Sequence, residues 1–453
     1  MAKRNYPVPT DFVRTLRREI SDYKKLPVKH QRRLANFILK CGSWWSQHKN
    51  PYWQDCMTIH YKELERAFGR KGFERINEEL NIFNTTPNWY RDRGQTKGYK
   101  LQPEVQRVKS RYLTPRMRQV TEFTDIDGRT IKKLPNVIDS KDSDGKTTKW
   151  KVGPSNVVPI DTEALRGLWS DLRDRAEGKQ DLYATGGPED WLYKADSIGI
   201  LLRYANWEEL GYGNLPQRYQ ESTSGRLYAQ GINLQNTPRA VRQAALNGLW
   251  DYDIENCHFT LFSQLAARYG YETKNINYYL QNKKAVRQEL ANYLGIDIGS
   301  VKVCLLSILY GARANDFPRN AIPKEIGQEK AKLLFEHEVF RGIHGNIKRG
   351  REKILKNYPV NNRGYLVNAF GKSIHKDKKP PQKLAHLLQG IEAQALRAVV
   401  EEIPDKVLVL MHDGFVTKKR ISQRDMSAHV SAVTGYKVTL EGQKIALAPD
   451  FDS

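Results

Sequence analysis

The chain has 453 residues, 39% hydrophobic and 10% aromatic, which excludes global disorder and leaves room for two or three domains. Lys and Arg outnumber Asp and Glu by 74 to 51, and the formal charge of +23 favours nucleic acid or an anionic membrane surface over an acidic partner. No apolar run reaches ~18 residues and the basic N-terminus lacks a signal-peptide core, while Cys41, Cys56, Cys257 and Cys304 form no CxxC pair; these features exclude a zinc ribbon and a disulfide framework and point to a soluble, cytoplasmic protein.

Residues 11–50 set Arg14, Arg17, Arg18, Lys24, Lys25, Lys29, Arg32 and Arg33 among apolar residues at helical spacing. HYKELERAF (60–68) and RKGFERINEELNIF (70–83) read as two helices, the second turning Phe73, Ile76, Leu80 and Ile82 inward. NTTPNWYRDRGQTKGYKL (84–101) follows as strand, turn and strand. Helix, turn, helix and basic hairpin make a winged-helix pattern. Lys71 and Arg75 on the second helix, and Arg91, Arg93 and Lys97 on the hairpin, are its candidate DNA contacts. A solvated basic face or a docking domain is the alternative. Residues 121–154 are the least core-like, with turn signals at Asp127-Gly128 and Asp144-Gly145. An EF-hand reading of DSKDSDGK fails, because Ser140 takes the first ligand position and Lys151 the place of the glutamate. Beyond this polar insert, LWDYDI (249–254) and DKVLVLM (405–411) read as strands. FTLFSQLAARYG (259–270), VKVCLLSILYG (301–311) and LAHLLQGIEAQALRAVVEEI (384–403) read as helices.

Asp251 and Asp253 close one strand, and Asp413 sits at the HDG turn between two others. Carboxylates on rigid strand ends suit divalent metals, and phosphoryl transfer between two metals also needs cations for the triphosphate. Taken alone, acids at strand ends are more often solvated charge. The neighbouring blocks point further. SGRLYAQGINLQNTPRAVRQA (224–244) resembles the GRL…PNLQN-P block of family A DNA polymerases, the bacterial DNA polymerase I type. Arg242-Gln243, LWDYD and a helix follow in that family's order. SVKVCLLSILYG is similar to its fingers-helix motif, GYLVNAFGKSIH (364–375) to its GY…T-GRRR segment, QGIEAQALRAVV to its QG-A-D helix, and MHDGFV to its HDE motif. The six blocks fall between residues 222 and 419, and the likeness does not extend to residues 1–220.

The resemblance implies an α+β right-hand polymerase with its palm and fingers over 216–453; outside the likeness, the residues themselves read as a linker, β insert and thumb-like region over 106–215 and a basic, mainly helical, winged-helix-like DNA-binding domain over 1–105. Counted back from Leu265, its register makes Asp253 the first catalytic carboxylate and Asp251 a neighbour. It implies Asp253, Asp413 and the Ile254 carbonyl as ligands of two Mg²⁺ ions, with Mn²⁺ as a substitute. Lys302 would meet the triphosphate, Tyr310 would pack near the nascent base pair, and Gly311 would let backbone approach the template. Arg226 and Gln389 would read the minor-groove side of the primer–template end, Asn233 and Gln235 would contact its backbone, and His412 would lie near the primer-terminal phosphate. Four positions depart from the family: Ile298 stands for an Arg that Arg287 or Arg313 must replace, Leu306 for an aromatic, His258 for a Glu that helps exclude a ribose hydroxyl, and Gly414 for the Glu of HDE. Single-subunit phage RNA polymerases share the aliphatic and small residues among these. The expectation is a template-directed DNA polymerase of phage or plasmid type, acting on DNA primer–template and nucleoside triphosphates, without a proofreading domain or a membrane partner. A primase-polymerase or single-subunit RNA polymerase is the first alternative, and a replication initiator with a degenerate polymerase fold the second.

Overall fold

The computed structural model describes residues 8–41, 57–58, 61–85, 98–115, 120, 122–124, 130–131, 140–141, 147–148, 157–178, 188–206, 211 and 213–447. Helices dominate and the sheets are small and antiparallel, so the α+β expectation holds. No single helix among the described residues is long and apolar enough to cross a membrane.

The N-terminal helical run divides into α1 (Thr10–Glu19) and α2 (Val28–Lys40), separated by a 3-10 turn and Pro27, whose ring cannot continue a helix. The elements β1 (Met57–Thr58), α3 (Tyr61–Phe68), α4 (Gly72–Leu80), β2 (Phe83–Thr85) and β3 (Gly98–Leu101) follow, and the strands pair in the order β1-β3-β2. This is helix, strand, helix, helix and two paired strands, the element order read from the sequence. Helix α4 ends three residues earlier than its apolar spacing suggests, because Asn81 turns left-handed at φ 46° and caps it. Ile82 and Phe83 are therefore buried from the strand side rather than from the helix. Phe37, Phe68, Phe73, Phe83 and Tyr99 interlock beneath, with ring centroids 5.4–6.3 Å apart. Such pairs each add about 0.5–1.5 kcal/mol beyond their burial.

Helix α5 (Pro103–Leu113) leads to the polar insert, where Phe123–Thr124 pairs with Thr130–Ile131 and Ser140–Lys141 with Thr147–Thr148. Each pairing brackets one of the two Asp-Gly turns read from the sequence. The insert is not wholly polar in its packing: Phe123 is fully buried, and Phe123–Thr124 also pairs with Val8–Pro9. Helices α6 (Thr162–Ala176) and α7 (Pro188–Tyr204) pack against each other, and α7 packs on α5. One hydrophobic cluster runs from Val8 to Leu246 and takes in Val409, Val416 and Ile445, so the winged module and the helical pair share a core with one side of the central sheet.

A hairpin of β4 (Arg218–Glu221) and β5 (Leu227–Gln230), then helix α8 (Arg239–Ala245), lead into that sheet. Strand β6 (Trp250–Ile254) is followed by helices α9 (Cys257–Arg268), α10 (Lys274–Gln281), α11 (Lys283–Leu294), α12 (Ile298–Leu309), α13 (Ala321–Ile326), α14 (Gln328–Glu336) and α15 (Glu338–Asn357). A hairpin of β7 (Tyr365–Val367) and β8 (Ser373–His375) precedes the 23-residue helix α16 (Pro380–Glu402). Strands β9 (Val407–Leu410) and β10 (Gly414–Thr417), helix α17 (Gln423–Thr434) and strand β11 (Leu440–Lys444) complete the described chain. The sheet order is β9-β10-β6-β11, all antiparallel.

Alternation along β6 decides what the sheet presents. Tyr252 and Ile254 are buried with the helices of the second core, and Tyr252 stacks on Phe415 at 5.2 Å. Asp251 and Asp253 must then lie on the opposite face. Helix α12 buries Val301, Cys304, Leu305 and Ile308, at helical spacing, in the second core and leaves Lys302 exposed. Its start is capped by Asp297, which accepts from the Ser300 N–H at 2.9 Å and contributes about 1 kcal/mol.

Candidate active site

Strand pairing brings the two expected carboxylates together. Asp253 sits opposite Gly414, and the Ile254 N–H donates to the Asp413 carbonyl at 3.0 Å, so Asp253 at the end of β6 neighbours Asp413 on the turn just before β10. A Cβ at Gly414 would lie 2.4 Å from the Tyr252 carbonyl oxygen, so the strand spacing leaves room only for glycine there. Asp253 has an open, solvent-facing side, yet the surrounding strands crowd it. Burial, then the Asp413 charge, then Asp251 raise its pKa from 3.8 to about 8, while Lys302 acts in the opposite sense. Lys302 is thus close enough for its charge to be felt at the pair. Asp251 lies further back along the strand: burial raises its pKa, while Arg242 and Arg239 pull it down.

A carboxylate whose pKa is raised by burial and a neighbouring carboxylate stands in a place short of positive charge. The donor set fits hard divalent cations: Asp253 and Asp413 offer oxygen, and the Ile254 main chain ends the strand between them. Two further atoms lack partners here. His412 Nδ1 and Asn256 Nδ2 are buried without a hydrogen bond, next to Asp413 and two residues after Ile254. Buried polar atoms without partners are rare in native proteins and often mark a place for a ligand or water. Burial and then Arg226 push the His412 pKa down, and its ring rests against Tyr228 at 5.1 Å.

A second constellation lies behind the first, and only part of it was legible in the sequence. Glu392, fully buried on α16, receives Arg226 through two of the three guanidinium nitrogens, Nε to Oε1 and a terminal nitrogen to Oε2, each at 2.5 Å. His258 Nε2 lies 2.5 Å from Glu392 Oε2, and His258 Nδ1 lies 2.9 Å from the Tyr310 hydroxyl. Burial alone would raise the Glu392 pKa, but the hydrogen bonds from His258 and Arg226 outweigh it and hold the carboxylate below its usual range. Burial also works to lower Arg226, and Glu392 again wins, raising it. Arg226 is therefore committed to the interior rather than held out toward a groove. Cys257, His258 and Glu392 place ligand atoms within 4.8 Å of one another and have the makings of a metal-holding group. Arg226 already occupies both carboxylate oxygens, and burial followed by Glu392 raises the Cys257 thiol, so a cation there would have to displace the guanidinium.

The remaining expected residues fall into three groups. Asn233 and Gln235 have structural work: Asn233 bonds the Gly231 carbonyl and the Asn236 N–H, each at 2.8 Å, and Gln235 ties Ala229 and Leu227 to Leu410. Gly311, at φ 91°, permits a close approach between the end of α12 and the start of α16, since a Cβ there would lie 2.4 Å from the Pro381 side chain. Gln389 is half-buried on α16, one turn from Glu392. Of the two candidate replacements for the missing arginine at Ile298, Arg287 is anchored to Asn256 Oδ1 at 2.7 Å and to the Tyr279 hydroxyl at 2.9 Å, which fixes it beside the β6–α9 turn. Arg313 is exposed. In the winged module, Lys71 and Arg75 line an open cavity of about 430 Å³ with Arg70, Glu74 and Glu78. Arg91, Arg93 and Lys97 lie outside the described residues.

No protein-family model matches the chain, and no curated protein matches it in sequence. The functional reading therefore stands on the residues and their geometry.

Proposed function

We propose that the protein is a template-directed nucleotidyltransferase, a DNA polymerase of family A type with a two-metal active site on the four-stranded sheet. The observation that carries this reading is the pairing of Asp253 with the Asp413 turn, within range of the Lys302 charge. Metal ions bound there would acidify the primer 3′-hydroxyl and offset charge on the leaving pyrophosphate. Asp253 and Asp413 hold those ions, with the Ile254 carbonyl as a third donor. Lys302, exposed on α12 and near enough to oppose the rise in the Asp253 pKa, binds the triphosphate as a point charge. Tyr310, at the end of the same helix, supplies a partly exposed ring against which the incoming nucleotide packs. His412 presents an unpartnered ring nitrogen beside Asp413 for a substrate oxygen or its water.

Lys302→Ala removes one charge-assisted contact, about 1.5–3 kcal/mol. The expected result is a rise of roughly 10–100-fold in the nucleotide KM, read from steady-state incorporation, with little change in affinity for primer–template. An unchanged KM would place Lys302 on a merely solvated helix face.

The winged module would bind duplex DNA through its basic positions. Its α4 face also exposes Glu74, Glu78 and Glu79, so phosphate contact falls to the helix start around Arg70, Lys71 and Arg75. The double variant Lys71→Ala/Arg75→Ala should weaken DNA binding at every sequence tested. It should also flatten the slope of log K against log salt by about two, one for each lost phosphate contact. An unaltered slope would assign the module to protein docking.

The polymerase reading is tested by incorporation measured against Mg²⁺ and Mn²⁺, where a saturable requirement for either metal is expected. Binding of DNA with no incorporation at any metal concentration would favour an initiator built on a degenerate polymerase fold. One feature supports a second enzymatic reading, a primase-polymerase that accepts ribonucleotides. His258, in place of the family's glutamate, has both ring nitrogens engaged with Glu392 and Tyr310, so no carboxylate at that position faces the sugar.

A further inference from the structure

We infer that Glu392 is a positioning residue for the nucleotide pocket, setting Tyr310 through His258; this rests on the polymerase reading above. Four separate segments converge on the network: Arg226 just before β5, His258 on α9, Tyr310 at the end of α12 and Glu392 on α16. His258 Nε2 lies 2.5 Å from Glu392 Oε2 and 2.8 Å from a terminal nitrogen of Arg226. Arginine only donates, and that nitrogen already has Oε2 as its acceptor at 2.5 Å, so Nε2 carries the proton of the shorter contact and the two donors share the carboxylate oxygen. Nδ1 is then an acceptor, and the Tyr310 hydroxyl at 2.9 Å must donate to it. Glu392 therefore determines the imidazole tautomer, and through it where the Tyr310 proton points. Tyr310 is 37% exposed, whereas Glu392 is fully buried, so the group facing the substrate is steered by one that substrate cannot touch.

The location of the carboxylate is informative. The polymerase resemblance puts a glutamate at position 258, beside the tyrosine. In this chain position 258 is histidine, and a carboxylate stands one step behind it on the facing helix. The pair gives Tyr310 an acceptor and Arg226 a counter-charge. Glutamine at 392 keeps the size of the side chain but brings an NH₂ group that needs an acceptor. It allows the imidazole to take the other tautomer, with Nδ1–H facing the Tyr310 oxygen and the hydroxyl proton turned away.

The test uses the full chain on primer–template with Mg²⁺, comparing wild type, Glu392→Gln and the double variant His258→Glu/Glu392→Gln, with thermal melting as a control on folding. For Glu392→Gln we expect the nucleotide KM to rise about tenfold, with kcat changed by less than about threefold, and the ratio of ribo- to deoxyribonucleotide incorporation to shift. The double variant returns the carboxylate to position 258, so its KM should recover most of that loss. A KM and a sugar ratio equal to wild type in Glu392→Gln would overturn the inference whatever the melting temperature does, leaving Glu392 as a structural counter-ion. A double variant no better than the single one would overturn it as well. Failure of the polymerase reading is distinguishable, because wild type would then incorporate neither nucleotide type. In that event equilibrium binding of Mg²⁺–nucleoside triphosphate decides the inference alone: weaker binding by Glu392→Gln supports it, and equal or absent binding overturns it.

Discussion

Asp253→Asn should abolish nucleotide incorporation, by about 10³-fold or more, while DNA binding survives and the metal-free protein becomes more heat-stable at pH 8. The activity loss follows from removing one of two carboxylates that face the same spot, since a preorganised electrostatic element acts at full strength only when complete. The stability gain has the opposite origin. In the metal-free protein the Asp253 pKa lies near 8, against 3.8 ordinarily, so between about pH 4 and pH 8 the folded state binds a proton that the unfolded chain has released. Stability then falls as pH rises through that window, because ionising Asp253 beside Asp413 is unfavourable. Asparagine never ionises and escapes this cost. The melting difference between variant and wild type should therefore be largest near pH 8, shrink toward pH 4, and narrow when divalent metal is supplied to wild type. Differential scanning of both proteins with chelator and with Mg²⁺ checks each sign. A variant less stable than wild type at pH 8 in chelator would mean that the two carboxylates do not oppose one another.

The second large effect is expected far from the chemistry. Lys109 on α5 and Asp196 on α7 form an ion pair of 3.1 Å, with their side chains 0% and 3% exposed. Lys109 also donates to the Cys41 carbonyl at 2.5 Å, and Gln106 donates to Asp196 at 3.0 Å. The pair thus joins the end of α2, α5 and α7, tying the winged module to the helical pair behind it. Asp196→Ala leaves an ammonium buried without its counter-charge, and breaking such a pair costs about 3–5 kcal/mol. Chemical denaturation should show that loss, with earlier proteolysis of the N-terminal half. Removing both charges in Lys109→Met/Asp196→Leu should cost much less, because no uncompensated charge remains. A single variant within about 1 kcal/mol of wild type would mean that water reaches the lysine.

These two sites differ in how far sequence alone could find them. LWDYDI and VLVLM-HDG-FV announce themselves, since apolar runs bounded by a turn have few alternatives, and their pairing follows once both are strands. Helix ends were less legible: Ile82 keeps the apolar spacing of α4, but the left-handed Asn81 turns it into the approach to β2. Glu392 was the principal omission. It has no local signature beyond being an acid between Ile391 and Ala393 in an apolar helix, and its partner Arg226 is 166 residues away. That combination, one carboxylate on the buried face of a long helix, was the available signal. Asn233 and Gln235 illustrate the converse: the motif marks the positions, but only the folded loop reveals that their amides are taken up internally. The need for glycine at 414 came from strand spacing, which composition cannot report.

The most direct measurement is primer extension by the wild-type chain with Mg²⁺, supplying deoxyribo- or ribonucleotides in parallel, with Asp253→Asn as the control. Templated extension is expected from wild type, with none from the variant and none in chelator. No extension by wild type with either nucleotide type and either Mg²⁺ or Mn²⁺, or full extension by Asp253→Asn, would contradict it.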